Sequence, residues 1–265
     1  MLRTRVLSAL LLIPLVALMV YLGGIWFACF VALVAGLAAR EFCLLVRAIG
    51  AHPLMPVTVG LSVLLVLSAF VTRHEVGQAL FIFALVGIMV WRVVRQHYAG
   101  FVYDWSTTLT GAAYVGGMLS YMVLLRELQQ GLVWLALVLL TTWAADTAAY
   151  FVGSAWGRTP FLPRVSPRKT MEGTIAGLVF GIIVATAIGV LFLRLDVATA
   201  IGLGMALVVA ITFGDPSESL LKREAGAKDS GHLIPGHGGV LDRVDSLLFA
   251  GVVTFYYAIW IVQAT

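Results

Sequence analysis

The sequence predicts an all-α protein: a polytopic integral membrane helical bundle of about nine transmembrane helices. Three observations predict it. The 265 residues are 61% hydrophobic and 11% charged, where a soluble globular domain is roughly 45–50% apolar and about 25% charged. Mean hydropathy is +1.02, so the chain has too little polar surface to cover itself in water. The apolar residues also fall in runs close to the ~20 residues that a helix needs to cross the hydrocarbon core.

The runs can be taken in order. The first, 5–22, follows a basic Met-Leu-Arg-Thr-Arg start and has the outline of a signal peptide. It is long enough to span, however, and no small-residue cleavage site precedes Gly23-Gly24, so it reads as the first transmembrane helix. The second, 25–39, is short and is expected to be a tilted or re-entrant element paired with the first. The remaining spans are 54–71, 78–94, 106–125, 132–152, 174–193, 197–213 and 247–262. They form one membrane domain, with N-terminal helices over 1–130 and the chemistry-bearing helices over 131–265. No internal repeat suggests the inverted symmetry of a transporter. Cys29 and Cys43 match no metal-ligand spacing and read as small buried hydrophobes.

Charge sets the expected orientation. With the N-terminus in the cytoplasm, fourteen of the 17 basic residues fall on the cytoplasmic side. They are Arg3, Arg5, Arg40, Arg47, Arg92, Arg95, Arg158, Arg164, Arg168, Lys169, Lys222, Arg223, Lys228 and Arg243. Only Arg73, Arg126 and Arg194 fall opposite, which is the asymmetry of the positive-inside rule. The expected location is a bacterial inner membrane. Two cytoplasmic loops, 153–173 and 214–246, are much longer than the others and concentrate charge, Gly and Pro. Long loops in a compact protein tend to carry function.

The second long loop offers carboxylates at Asp215, Asp229, Asp242 and Asp245 and cations at Lys222, Arg223, Lys228 and Arg243. Between them Pro235-Gly236-His237-Gly238-Gly239 can bring bare backbone N–H groups close to an anion. Carboxylates beside substrate phosphates suit Mg²⁺, a hard ion that prefers oxygen, and Lys and Arg suit a polyphosphate. A helix starting near Leu241 would place Asp242 and Asp245 on one face. Asp215 ends the eighth span at the same depth, so Asp215, Asp242 and Asp245 are the expected metal ligands, with room for a second cation. The plain alternative is a solvated loop whose ion pairs only satisfy one another. Asp146 lies inside an apolar span, where a charge is costly and usually functional. Arg40-Glu41, at the end of the second span, reads as an interfacial ion pair. His52, His74, His97 and His232 read as loop residues.

The stretch Ser219-Leu-Leu-Lys222-Arg223, then Lys228-Asp229-Ser230-Gly231, then Ile234-Pro235-Gly236-His237-Gly238-Gly239-Val240-Leu241-Asp242-Arg243-Val244-Asp245 resembles the motif of the phosphatidate cytidylyltransferases. Asp146-Thr-Ala-Ala-Tyr150-Phe-Val-Gly153, Gly157-Arg158 and Ser166-Pro-Arg168-Lys169-Thr170-Met-Glu172-Gly173 are similar to a second region of that family. Residues 1–130 carry no comparable match. The resemblance implies attack by phosphatidate on CTP, giving CDP-diacylglycerol and pyrophosphate. It implies catalytic roles for Lys222, Arg223, Asp242 and Lys169. Ser219, Arg168, Lys228, His237, Gly238, Gly239, Arg243 and Asp146 are then expected to bind substrate. The implied partners are CTP, phosphatidate and membrane lipid, with no nucleic acid and with a homodimer allowed. A CTP-dependent lipid-alcohol kinase and a membrane transporter are the alternatives. The first would release CDP, and the second would carry ionisable residues deep in several spans.

Overall fold

The computed structural model describes residues 2–71, 75–96 and 99–262, without the side chains of residues 2–7 and 9. The expectations for Arg73, His74 and His97 lie outside the described residues, as do the side chains of Arg3 and Arg5. Nine continuous helical stretches follow one another among the described residues. They are α1 (Leu2–Leu22), α2 (Gly24–Ala48), α3 (Met55–Val71), α4 (Glu75–Val94), α5 and α6 joined end to end, α7 (Gly131–Trp156), α8 (Met171–Leu191), α9 (Val197–Glu224) and α10 (Leu241–Tyr257). A π-helical turn, Ala112–Gly117, joins α5 (Phe101–Gly111) to α6 (Met118–Glu127), and another, Ala258–Val262, ends α10. Seven of the stretches are long and apolar enough to cross a membrane, and Leu10–Leu22 and Met55–Val71 are shorter apolar helices.

Two helices run well past their apolar spans. The short re-entrant element expected over 25–39 is instead a helix of 25 residues. Arg40, Glu41, Leu44, Leu45 and Arg47 are sound helix formers, so a drop in hydropathy does not stop the backbone. What stops it is Gly50, at φ +89°. The Ala51 N–H donates to the Val46 carbonyl and the Gly50 N–H to the Arg47 carbonyl, both at 3.1 Å, a Schellman end that needs a left-handed residue. Helix α9 ends the same way. Gly226 has φ +65°, and the Ala227 and Gly226 N–H groups donate to the Lys222 and Arg223 carbonyls at 2.8 and 3.1 Å.

The chain divides into two compact units, Met1–Glu127 with Leu221–Val244, and Leu128–Leu220 with Asp245–Thr265. In the first, α3 packs on α2, and Leu61, Leu65, Ile88, Leu109 and Ala112 form a buried cluster flanked by Phe81 and Trp105. Asp104 is held by the Arg92 guanidinium at 3.0 Å and by the His52 backbone N–H at 2.7 Å. The Arg126 guanidinium donates to the Val20 and Tyr21 carbonyls at 3.0 and 3.2 Å, where α1 leaves carbonyls without helical partners. Gly23 makes the room, because a Cβ there would collide with that guanidinium. Cys43 is buried, but Cys29 is exposed. It lies off the buried stripe that runs from Phe27 through Val31, Ala35, Ala38 and Phe42 along α2. Helix α4 presents Phe83, Val93 and Val94 outward, as a lipid-facing helix does.

In the second unit, α7 and α8 lie backbone to backbone. A Cβ on Gly173 would sit 2.6 Å from the Ala149 carbonyl oxygen, and one on Gly177 3.0 Å from that of Ala145. Small residues at such a spacing let membrane helices approach closely. Between these helices a short antiparallel hairpin, β1 (Pro160–Leu162) and β2 (Ser166–Thr170), pairs Pro160 with Thr170 and Leu162 with Ser166. Thr170 caps α8 by accepting from the Gly173 N–H at 3.2 Å. The Glu172 carboxylate accepts from the Arg158 and Thr159 N–H groups at 3.1 and 3.2 Å.

Candidate active site

Within the first unit the end of α9, the glycine-rich loop and the start of α10 enclose one carboxylate. Helix α10 begins at Leu241, the start that the sequence anticipates, so Asp242 and Asp245 sit three residues apart near its N-terminus. Asp242 Oδ1 meets Lys222 Nζ at 2.6 Å, with side-chain exposures of only 6% and 12%. Its Oδ2 accepts from the Ser230 N–H and hydroxyl, each at 2.9 Å, and from the Gly239 N–H at 2.8 Å. The N–H of Gly239, a residue the resemblance assigns to substrate, is thus already directed at Asp242.

The loop closes tightly around that carboxylate. The Ile234 N–H donates to the Gly238 carbonyl, and the His237 N–H to the Ile234 carbonyl, both at 3.0 Å. Gly238 has φ +84°, and a Cβ on it would lie 2.8 Å from Asp242 Oδ2. The turn therefore needs glycine both for its backbone angle and for space. His237 Nδ1 lies 2.8 Å from the Ser8 hydroxyl of α1, so the imidazole ties the loop to that helix. Arg223, Lys228, Asp229, His232 and Arg243 are exposed.

The second unit holds another lysine–carboxylate pair. Lys169, next to last in β2, places Nζ 2.8 Å from Asp215 Oδ2, and both side chains are about one-third exposed, at 32% and 35%. Ser219, one turn along α9, donates to Asp215 Oδ1 at 3.2 Å. Helices α9 and α10 touch at Gly214, where a Cβ would lie 2.6 Å from Ser246 Cα and 2.8 Å from the Asp245 carbonyl oxygen. Asp215 and Asp245 adjoin that crossing. Asp245 Oδ1 accepts from the Ser246 N–H at 2.6 Å. Arg168 and Asp146 are exposed. Among the described residues no three His, Cys, Asp or Glu side chains are gathered as a metal cage.

Residues 3–261 match the family described as Cytidylyltransferase family. The chain belongs to that family. It is 35% identical to a phosphatidate cytidylyltransferase of Synechocystis over 96% of each chain. It is 37% identical to one of Bacillus subtilis over 66% of this chain and 65% of the relative. It is 47% identical to phosphatidate cytidylyltransferase 4, chloroplastic, of Arabidopsis thaliana over 43% of this chain and 29% of the relative. This family member is therefore a multi-pass membrane nucleotidyltransferase, whose motif residues supply both lysine–carboxylate pairs.

Three participants were not legible as such. Glu41, expected to pair with Arg40, is 1% exposed. Its Oε2 accepts from the Leu241 N–H at 2.8 Å and lies 3.1 Å from the Ser230 hydroxyl. Adjacent helical residues point to different faces, and Arg40 is exposed. Ser230 lies inside the motif but carries no charge to attract notice. Ser8 sits in an apolar helix, where a single hydroxyl gives no signal of its distant partner. A glutamate amid the alanine-rich turns of a membrane helix was the one available clue.

Proposed function

We propose that this chain transfers the cytidylyl group of CTP to phosphatidate, forming CDP-diacylglycerol and releasing pyrophosphate. The observation that carries the proposal is the pair of lysine–carboxylate contacts, Lys222–Asp242 and Lys169–Asp215, formed by motif residues of a cytidylyltransferase. A phosphatidate oxygen bonds to the α-phosphorus of CTP as the bond from that phosphorus to the pyrophosphate oxygen breaks. A phosphomonoester has its second pKa near 6, so the lipid phosphate is already largely a dianion at neutral pH. No side chain has to remove a proton from it.

Two polyanions repel each other, so the protein must supply compensating charge and alignment. Lys169 and Lys222 each meet a carboxylate and can turn toward phosphate oxygens. Arg168, Arg223, Lys228 and Arg243 are exposed and add further positive charge. Mg²⁺ is the proposed cofactor, drawn by the carboxylates of Asp215, Asp242 and Asp245. These hard oxygen donors suit it, and Asp215 and Asp242 each face a lysine ammonium as well. Bound there, Mg²⁺ would neutralise phosphate charge. The charge asymmetry supports an inner-membrane protein with both motif loops in the cytoplasm, where CTP is found.

Labelled CTP incubated with the purified protein in phosphatidate-containing vesicles and Mg²⁺ tests the reading. The expected result is radiolabelled CDP-diacylglycerol with equimolar pyrophosphate, and neither without phosphatidate. Release of CDP with a phosphorylated lipid would establish the kinase alternative instead.

A further inference from the structure

Glu41 has no part in the reaction described above, yet it is among the most buried polar side chains of the first unit, at 1% exposure. Its Oε2 accepts from the Leu241 N–H at 2.8 Å. That N–H belongs to the first residue of α10 and has no partner within the helix. Val240, just before it, has no side chain able to cap, so a carboxylate from α2 does so, where the helix dipole favours a negative charge. The same Oε2 lies 3.1 Å from the Ser230 hydroxyl, and that hydroxyl lies 2.9 Å from Asp242 Oδ2. Asp242 in turn holds Lys222 at 2.6 Å. A continuous polar line thus runs from α2 to the lysine: Glu41, Ser230, Asp242, Lys222.

Two features separate this line from ordinary packing. Among the described residues Glu41 Oε1 is buried without a hydrogen-bond partner, a costly arrangement that an apolar residue would avoid. The loop is also shaped to the glutamate. A Cβ on Gly231 would lie 2.5 Å from Oε1, and one on Gly239 would strike Oε2 and the Ser230 hydroxyl. A buried carboxyl oxygen left without a partner at a cost to stability, with two glycines cleared around it, is the pattern expected of a group retained for function.

We propose that Glu41 is a positioning residue for cytidylyl transfer, acting through Ser230 to fix where Asp242 holds the Lys222 ammonium. This inference rests on the proposed function. Glu41→Gln keeps the size and one acceptor for the Leu241 N–H but removes the charge. It should melt close to the wild-type temperature while kcat falls at least tenfold and KM for CTP stays within threefold. Ser230→Ala should show the same split, and the double variant should be no slower than the worse single variant, because both break one line. Glu41→Asp, charged but one methylene short, should recover less than half of the lost rate. A wild-type kcat in either single variant would overturn the proposal, as would losses that multiply in the double variant. If Glu41→Gln does not fold, Ser230→Ala alone decides by the same kcat criterion. Wild-type protein that makes no CDP-diacylglycerol would remove the underlying reading, whereas an active wild type with an equally active Glu41→Gln removes only the positioning role.

Discussion

At the scale of single residues, the two lysine–carboxylate pairs look alike in sequence and differ in their surroundings. Lys222–Asp242 is nearly enclosed, while Lys169–Asp215 is about one-third exposed. Removing one partner of a buried pair leaves an uncompensated charge and costs about 3–5 kcal/mol, whereas an exposed pair contributes about 0–1 kcal/mol. Asp242 also accepts from three N–H and O–H groups that shape the loop. Asp242→Asn should therefore lose turnover and also melt several degrees lower in detergent. Asp215→Asn should lose turnover with its melting temperature almost unchanged. Thermal denaturation of both variants beside the labelled-CTP assay checks this, and an equal loss of stability in the two would contradict it. Asp215 and Asp242 stand out in the sequence as chemistry-bearing residues. That Asp242 is also structural was not legible, because burial depends on what folds over it.

Among the elements, α7 and α8 show most directly how sequence becomes packing. Gly173, Gly177 and Gly181 recur every four residues along one face of α8, and Ala145 and Ala149 line the facing side of α7. In lipid no water is expelled when helices meet, so close van der Waals contact of small faces carries the association. The hairpin and the Thr170 cap hang from this pair, and Lys169 with them. Gly177→Leu must displace the Ala145 backbone and should destabilise by about 1–3 kcal/mol, the usual cost of overpacking. Its activity should fall with its stability. A melting curve in detergent reads the effect, and an unchanged midpoint would show that the helices do not meet along this stripe. The glycines that end α2 and α9 were equally available in the sequence. Reading spans by hydropathy hid their meaning, because Gly50 and Gly226 each lie beyond the apolar run that they terminate.

For the whole molecule, the fourteen basic residues assigned to one side make a topology that can be tested without activity. Single cysteines at Ala227 and Gln130, in a background lacking Cys29 and Cys43, should react differently with an impermeant thiol reagent. Intact cells should be labelled at position 130 only, and permeabilised cells at both. Labelling at position 227 in intact cells would reverse the orientation and put the motif loop on the side without CTP.

Composition and the periodic apolar runs were enough to determine a multi-pass helical membrane protein, because lipid leaves a spanning backbone almost no other way to satisfy its hydrogen bonds. The motif from Ser219 to Asp245 was enough to point to the family, since its mixed residue types at fixed spacing arise rarely by chance. Only the tertiary structure decided that Glu41 caps α10, that Ser230 stands between two carboxylates and that His237 meets Ser8. Glu41 and Leu241 are 200 positions apart, and His237 and Ser8 are 229 apart. No local preference links residues at such separations. Their meeting depends on how helices pack, and packing is a property of the folded chain.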